Sequence, residues 1–89
     1  PEQIRAAARH LHEQRYPSPT LLDLAAEVLK DQYRQPSSSW LHVDAMAWIC
    51  KALGRSGNPK YRWLLENVSH NAPSRKLRGY AGKSSRELQ

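Results

Sequence analysis

The segment WLHVDAMAWICKALGR, residues 40–55, is the most apolar long stretch of the chain. Drawn as a helix, it carries apolar side chains nearly all round, and Asp44 and Lys51 mark its polar edge. A helix that is apolar on most sides packs against several neighbours. The sequence therefore predicts a central helix here, ended by Gly54 or Gly57 in a left-handed backbone conformation.

Proline signals divide the rest of the chain into further helices. Ser18-Pro19 and Asn58-Pro59 each pair a good N-cap with proline at the first helical position, and Pro73-Ser74 opens the last segment. No segment alternates apolar and polar residues with period two, so strands are not expected. The predicted helices cover about residues 2–15, 18–35, 40–55, 58–70 and 73–88, with a loop at 36–39.

The apolar faces of these helices follow from their spacing. In the second helix the arc consists of Leu21, Leu22, Ala25, Val28 and Leu29, with Leu24 and Tyr33 at its edges. In the fifth, the inward residues are predicted to be Leu77, Ala81, Ser84 and Leu88. The chain, residues 1–89, is thus predicted to be one all-α domain of five antiparallel helices.

The second and fourth helices begin alike. PTLLDLAAEV at 19–28 aligns with PKYRWLLENV at 59–68, an offset of 40 residues. A period near 40 with two helices per unit is typical of a helical solenoid, whose units stack because none can bury its own face. The spacing predicts about two and a half such units.

Residues 44–88 carry a further pattern: a helix ending in Ala-Leu-Gly, a short turn, a Tyr…Leu…Val helix, and Lys-Leu-Arg-x-Tyr-Ala opening the next unit. The matching residues are Ala52, Leu53, Gly54, Tyr61, Leu64, Leu65, Val68, Lys76, Leu77, Arg78, Tyr80, Ala81 and Leu88. This half of the chain resembles HEAT repeats of the bacterial short type, and residues 1–35 do so only weakly. The resemblance implies a short HEAT-like α-solenoid but no particular function, because many unrelated roles use such repeats. Gly79 and Gly82 depart from the pattern, which favours better helix formers there.

The composition of the chain limits the classes of partner it could bind but does not select one of them. The net charge of +6 allows nucleic acid, an anionic membrane surface or an acidic protein as partner. A single cysteine, Cys50, cannot form an internal disulfide, and no apolar run approaches the roughly 18 residues of a membrane span. No signal peptide is recognisable, and Pro1 in place of an initiating Met suggests a processed chain or a domain cut from a longer protein. The sequence does not indicate a cellular compartment.

Catalytic and metal-binding motifs are not recognisable. His10 and His12 stand two residues apart on a helix and point in nearly opposite directions, and His42, His70 and Cys50 show no ligand spacing. The row Asp23, Glu27 and Asp31 is typical of a solvated helix face. There is no nucleophile elbow and no glycine-rich phosphate loop. We expect no metal, no cofactor and no enzymatic activity.

Trp63 is the strongest candidate for binding. It lies opposite the apolar stripe of its own helix, where a soluble domain has little reason to place indole. An aromatic residue surrounded by polar groups, here Glu66, Asn67 and His70, is typical of an interaction hot spot. The structural alternative is that Trp63 packs over a neighbouring unit or over the loop at 36–39.

The C-terminal third holds most of the positive charge. Arg62, Arg75, Lys76, Arg78 and Lys83 could line a groove that binds a phosphate backbone, although such residues also simply confer solubility. The sequence thus favours a monomeric, non-catalytic protein-interaction or scaffold module with an unidentified protein partner. The alternative is a nucleic-acid-binding repeat domain. A third interpretation, a structural unit cut from a longer solenoid, predicts apolar surface exposed at one end.

Overall fold

The computed structural model describes residues 2–35 and 39–88, and this part of the chain is all-helical. The predicted fold class is therefore confirmed at the level of helix content. The predicted loop at 36–38 lies outside the described residues. The helices are α1 (Glu2–Glu13), α2 (Pro19–Gln32), α3 (Trp40–Arg55), a 3₁₀ turn (Pro59–Tyr61), α4 (Arg62–Asn71) and α5 (Arg75–Arg86).

Side-chain caps begin the helices where the sequence placed them. Ser18 Oγ accepts a hydrogen bond from the Leu21 amide at 3.4 Å, and Ser74 Oγ accepts one from the Leu77 amide at 3.2 Å. Asn58 Oδ1 caps the 3₁₀ turn at Pro59–Tyr61. The α-helix that was predicted to start at Pro59 therefore follows this turn and begins at Arg62. Each cap satisfies an amide that a helix start leaves without a partner.

Gly57 ends the central helix. It is the residue after the C-cap Ser56, and its φ of 73° lies in the left-handed region that glycine enters without steric cost. Gly54, the other predicted stop, lies inside α3 and is buried.

Helix α3 occupies the centre of the domain, as its sequence predicted. It packs against α1, α2 and α5, while α4 packs against α5. Helices α1, α3 and α5 therefore form a row with α3 in the middle. The largest fully buried side chains come mainly from α3 and its neighbours: Leu29, Met46, Ile49, Cys50, Leu53, Leu65, Val68 and Leu77.

The fifth helix buries all the predicted residues, whereas the second buries only part of its predicted arc. Leu77, Ala81, Ser84 and Leu88 are all buried. Leu22 and Leu29 of α2 are buried, and so is Tyr33 at the C-cap of this helix, which was predicted to lie at the edge of the arc. Leu21 and Leu24 remain 49% and 57% exposed, because no helix of the described residues covers the side of the arc on which they lie.

The start of α4 is tied to α2 by one polar cluster. The buried Tyr61 hydroxyl donates to Asp23 Oδ1 at 2.6 Å, and Lys60 Nζ lies 2.8 Å from the same oxygen. Burial, and next the Asp23 carboxylate, raise the pKa of Tyr61. Lys60, followed by Tyr61, lowers the pKa of Asp23. The cluster holds the 3₁₀ turn against α2 and so orients the helix that carries Trp63.

Among the described residues, no helix is both long and apolar enough to cross a bilayer.

Candidate functional site

The outer face of α4 displays the indole of Trp63. The helix turns Leu65 and Val68 into the core, and Trp63 is 77% exposed. Residues 63, 66, 67 and 70 share one helix face because of their spacing. We call Trp63, Glu66, Asn67 and His70 the Trp63 surface.

Polar groups around Trp63 are already ordered by contacts within α4. Arg62 Nε donates to Glu66 Oε1 at 2.7 Å, and Asn71 Nδ2 donates to the Asn67 carbonyl at 2.9 Å. Glu66 and Asn67 are half-buried, and His70 is exposed. An exposed indole with polar side chains on the same helix face can bury apolar area in a partner while its rim makes hydrogen bonds.

The structural alternative for Trp63 finds no support in the described residues. An indole that packed over a neighbouring helix would lose most of its exposure, and this one keeps 77%. The loop residues 36–38, which the second form of this alternative needs, lie outside the described residues.

The predicted basic residues divide into two groups. Arg75, Lys76 and Lys83 line a shallow depression on α5 together with Gly79 and Tyr80, which we call the α5 basic surface. Lys76 Nζ also lies 3.4 Å from an Asp44 carboxylate oxygen.

The other two basic residues have local partners. Arg78 donates to the Ala72 and Pro73 carbonyls at 2.7 and 3.1 Å, so it closes the connection between α4 and α5. Arg62 is paired with Glu66 on α4. Three of the five predicted phosphate ligands are therefore brought together.

A row of cations and aromatic rings crosses α1, α3 and α5, and sequence reasoning did not identify it. Lys51 Nζ lies 4.3 Å from the ring centroid of Trp48 and 4.5 Å from that of Tyr80. The Arg9 guanidinium also approaches Trp48 and lies 5.6 Å from its ring centroid. Trp48 and Lys51 are three residues apart on α3, which is a signal for contact, but nothing in the sequence pairs them with Tyr80.

A partly buried ion pair and a histidine also join α1 to α3. Asp44 accepts from Arg5, and this hydrogen bond is the main cause that lowers the pKa of Asp44. His12 meets the Trp48 ring edge-on at 5.4 Å. Burial, followed by the charges of Arg55 and Lys51, lowers the pKa of His12. These contacts join the three helices of the row.

Histidine and cysteine side chains lie apart from one another. His10 hydrogen-bonds Gln14 at 3.0 Å, His42 is buried in α3, and His70 is exposed on α4. Burial raises the pKa of the Cys50 thiol to about 12, so it stays protonated at neutral pH. Within residues 2–35 and 39–88, no three metal-ligating side chains are grouped.

An apolar groove lies between α1 and α2. We call it the α1–α2 groove, and it has a cavity volume of about 280 Å³. It is formed chiefly by Ile4, Ala7, Leu11, Leu21, Leu24, Ala25 and Val28, with Ile49 of α3 among its lining residues. The sequence placed Leu21 and Leu24 on or beside an apolar arc but did not indicate that this part of the arc would be left open.

Comparison of the chain with protein-family models, curated protein sequences and solved structures gives no match.

Proposed function

We propose that the chain is a non-catalytic protein-interaction module that binds its partner through the Trp63 surface. The observation that carries the proposal is the 77% exposure of an indole in the first turn of α4. Tryptophan is among the residues most enriched at interaction hot spots. The proposed module is monomeric and needs no cofactor.

We propose further that the helices form a short HEAT-like solenoid. The contacts of α3 with α1 and α5 support this, because the first helices of successive units stack in such a row. In this arrangement α2 and α4 are the second helices, which line the concave surface where solenoids bind ligands. The Trp63 surface would then lie on the binding face of the module.

The expected contribution of Trp63 follows from its exposed area. A tryptophan side chain can bury roughly 200 Å², and the exposed three-quarters of it is worth about 4 kcal/mol at 25 cal/mol per Å². Ordering and desolvation costs reduce the measured value, so a loss of about 2 kcal/mol, or thirtyfold in Kd, is expected on truncation.

The test combines crosslinking with affinity measurement. A photoreactive phenylalanine analogue at position 63 should crosslink one partner from a lysate of the source cells, and the same analogue at Tyr16, which is 84% exposed, should not. The purified partner is then titrated against Trp63→Ala and Tyr16→Ala. A thirtyfold loss for the first and less than twofold for the second support the proposal. Equal effects of Trp63→Ala and Tyr16→Ala on the affinity, or an equally strong crosslink from position 16 to the same partner, refute it.

The α5 basic surface supports a second candidate function, nucleic-acid binding. Arg75, Lys76 and Lys83 line one depression on α5, an arrangement that could hold several phosphates of a nucleic-acid backbone. With duplex DNA as the probe, three phosphate contacts predict a slope of about −2.7 in log K against log salt. Lys83→Met should make the slope shallower by about one, whereas Trp63→Ala should not change it. A flat salt dependence would exclude this function.

A further inference from the structure

We infer that the α1–α2 groove is a second docking surface, and that its occupant is an amphipathic helix of a protein partner with basic residues along its flank. This surface is separate from the Trp63 surface, and the inference does not depend on the function proposed above.

The groove is apolar and open at the same time. Leu21 and Leu24 are 49% and 57% exposed although they border the groove, whereas Leu22 and Leu29 on the same helix are buried. Exposed leucines that line one concave feature indicate a binding site more than scattered surface apolar residues do. The groove therefore has unsatisfied apolar surface along α2.

The shape of the groove favours a helix. Its α2 wall extends from Leu21 to Val28, a distance of about 10 Å at the rise of an α-helix. This length matches two turns of a bound helix, whose anchors would follow the i, i+3 or i+4, and i+7 spacing of helix-in-groove recognition.

Acidic residues beside the groove indicate which charge the flank of the bound helix carries. Leu24, Glu27 and Asp31 lie on one face of α2 because of their spacing, and both acidic residues are exposed. Neither carboxylate takes part in an ion pair among the described residues, although Asp23 on the same helix is paired with Lys60.

Lysine and arginine are absent from the described residues that line the groove. Its polar lining consists of His10 and Gln14, which hydrogen-bond each other. Unpaired acidic residues beside an apolar groove complement lysine or arginine on the bound helix, although the chain as a whole is positively charged.

The experiment uses two synthetic helices of about 16 residues that share one leucine stripe, one flanked by lysine and the other by glutamate. Binding to the full chain is measured by fluorescence anisotropy at low salt, where surface charges are least screened. The lysine helix should bind about tenfold more tightly than the glutamate helix. Leu24→Gln, at an exposed position, should weaken binding about tenfold, and circular dichroism verifies that the variant is folded.

Two further variants separate this inference from the proposed function. Glu27→Gln with Asp31→Asn should bring the two helices within about twofold of each other, and Trp63→Ala should change neither affinity. Equal binding of the two helices by the parent chain, or no binding of either, overturns the inference. Loss of binding in Trp63→Ala with retention in Leu24→Gln also overturns it. Self-association in sedimentation velocity that Leu24→Gln abolishes would overturn the choice of occupant in favour of a second copy of the chain.

Discussion

Replacement of Gly54 by alanine should force α3 and α5 apart. A Cβ built on Gly54 would lie 2.9 Å from Ser84 Cβ and 3.1 Å from both Ser84 Cα and the Ser84 carbonyl oxygen. Two of these three atoms are backbone, so a side-chain rotation cannot relieve the overlap. The helices, which pack directly on each other, would have to move.

The change in unfolding free energy caused by Gly54→Ala is the difference between two opposing effects. Overpacking of a buried contact costs about 1–3 kcal/mol. Alanine recovers at most about 1 kcal/mol of helix propensity, and less near the end of α3. The net loss should be about 1–2 kcal/mol, which corresponds to a fall in Tm of about 5–15 °C for a domain of this size.

Gly79 provides the matched control. It lies within α5, and a Cβ there would meet no atom within 4 Å. Gly79→Ala should therefore stabilise the protein by about 0.5–1 kcal/mol. Both variants are compared with the parent by thermal and urea unfolding. Unfolding is followed through the circular-dichroism signal of α-helix at about 222 nm. If Gly54→Ala is as stable as Gly79→Ala, the close packing of α3 on Ser84 is refuted.

Three other predictions concern the core, the cation–aromatic row and pH. Leu29→Ala should lower the unfolding free energy by about 3 kcal/mol because Leu29 is fully buried. Leu24→Ala, at an exposed position, should change it by less than about 0.5 kcal/mol. Equal losses for the two variants in urea unfolding would contradict the orientation of α2. Lys51→Met removes a charge that lies 4.3 Å from the Trp48 ring centroid and 4.5 Å from that of Tyr80. It should lower the unfolding free energy by about 1 kcal/mol in the same assay. Lys83→Met, which should leave the stability unchanged, is its control. Because the pKa of folded His12 is lowered, its stabilising contribution is complete above the unfolded pKa of about 6.5 and is lost as pH falls through the folded pKa. His12→Gln should flatten this part of the stability profile, and an unchanged profile between about pH 7.5 and 5 would contradict the assignment.

The sequence by itself determined the features that depend on neighbours within about one helical turn. Ser18, Asn58 and Ser74 cap their helices through hydrogen bonds to amides two or three residues ahead. The all-helical class and the inward face of α5 follow from periodicity. Trp63 could be placed off the apolar stripe of its helix for the same reason, and the structure leaves it in water.

Only the tertiary structure decided which apolar and charged groups meet. Periodicity shows which side of a helix is apolar but not whether a neighbour covers all of it, so the open groove beside Leu24 could not be foreseen. Composition placed positive charge in the C-terminal third, but the packing of α5 on α3 determined that Lys76 approaches Asp44 and that Lys51 lies between two rings. These contacts depend on the separation and rotation of helices that are distant in the chain. A local sequence pattern carries no information on those two quantities, because packing of the whole core sets them.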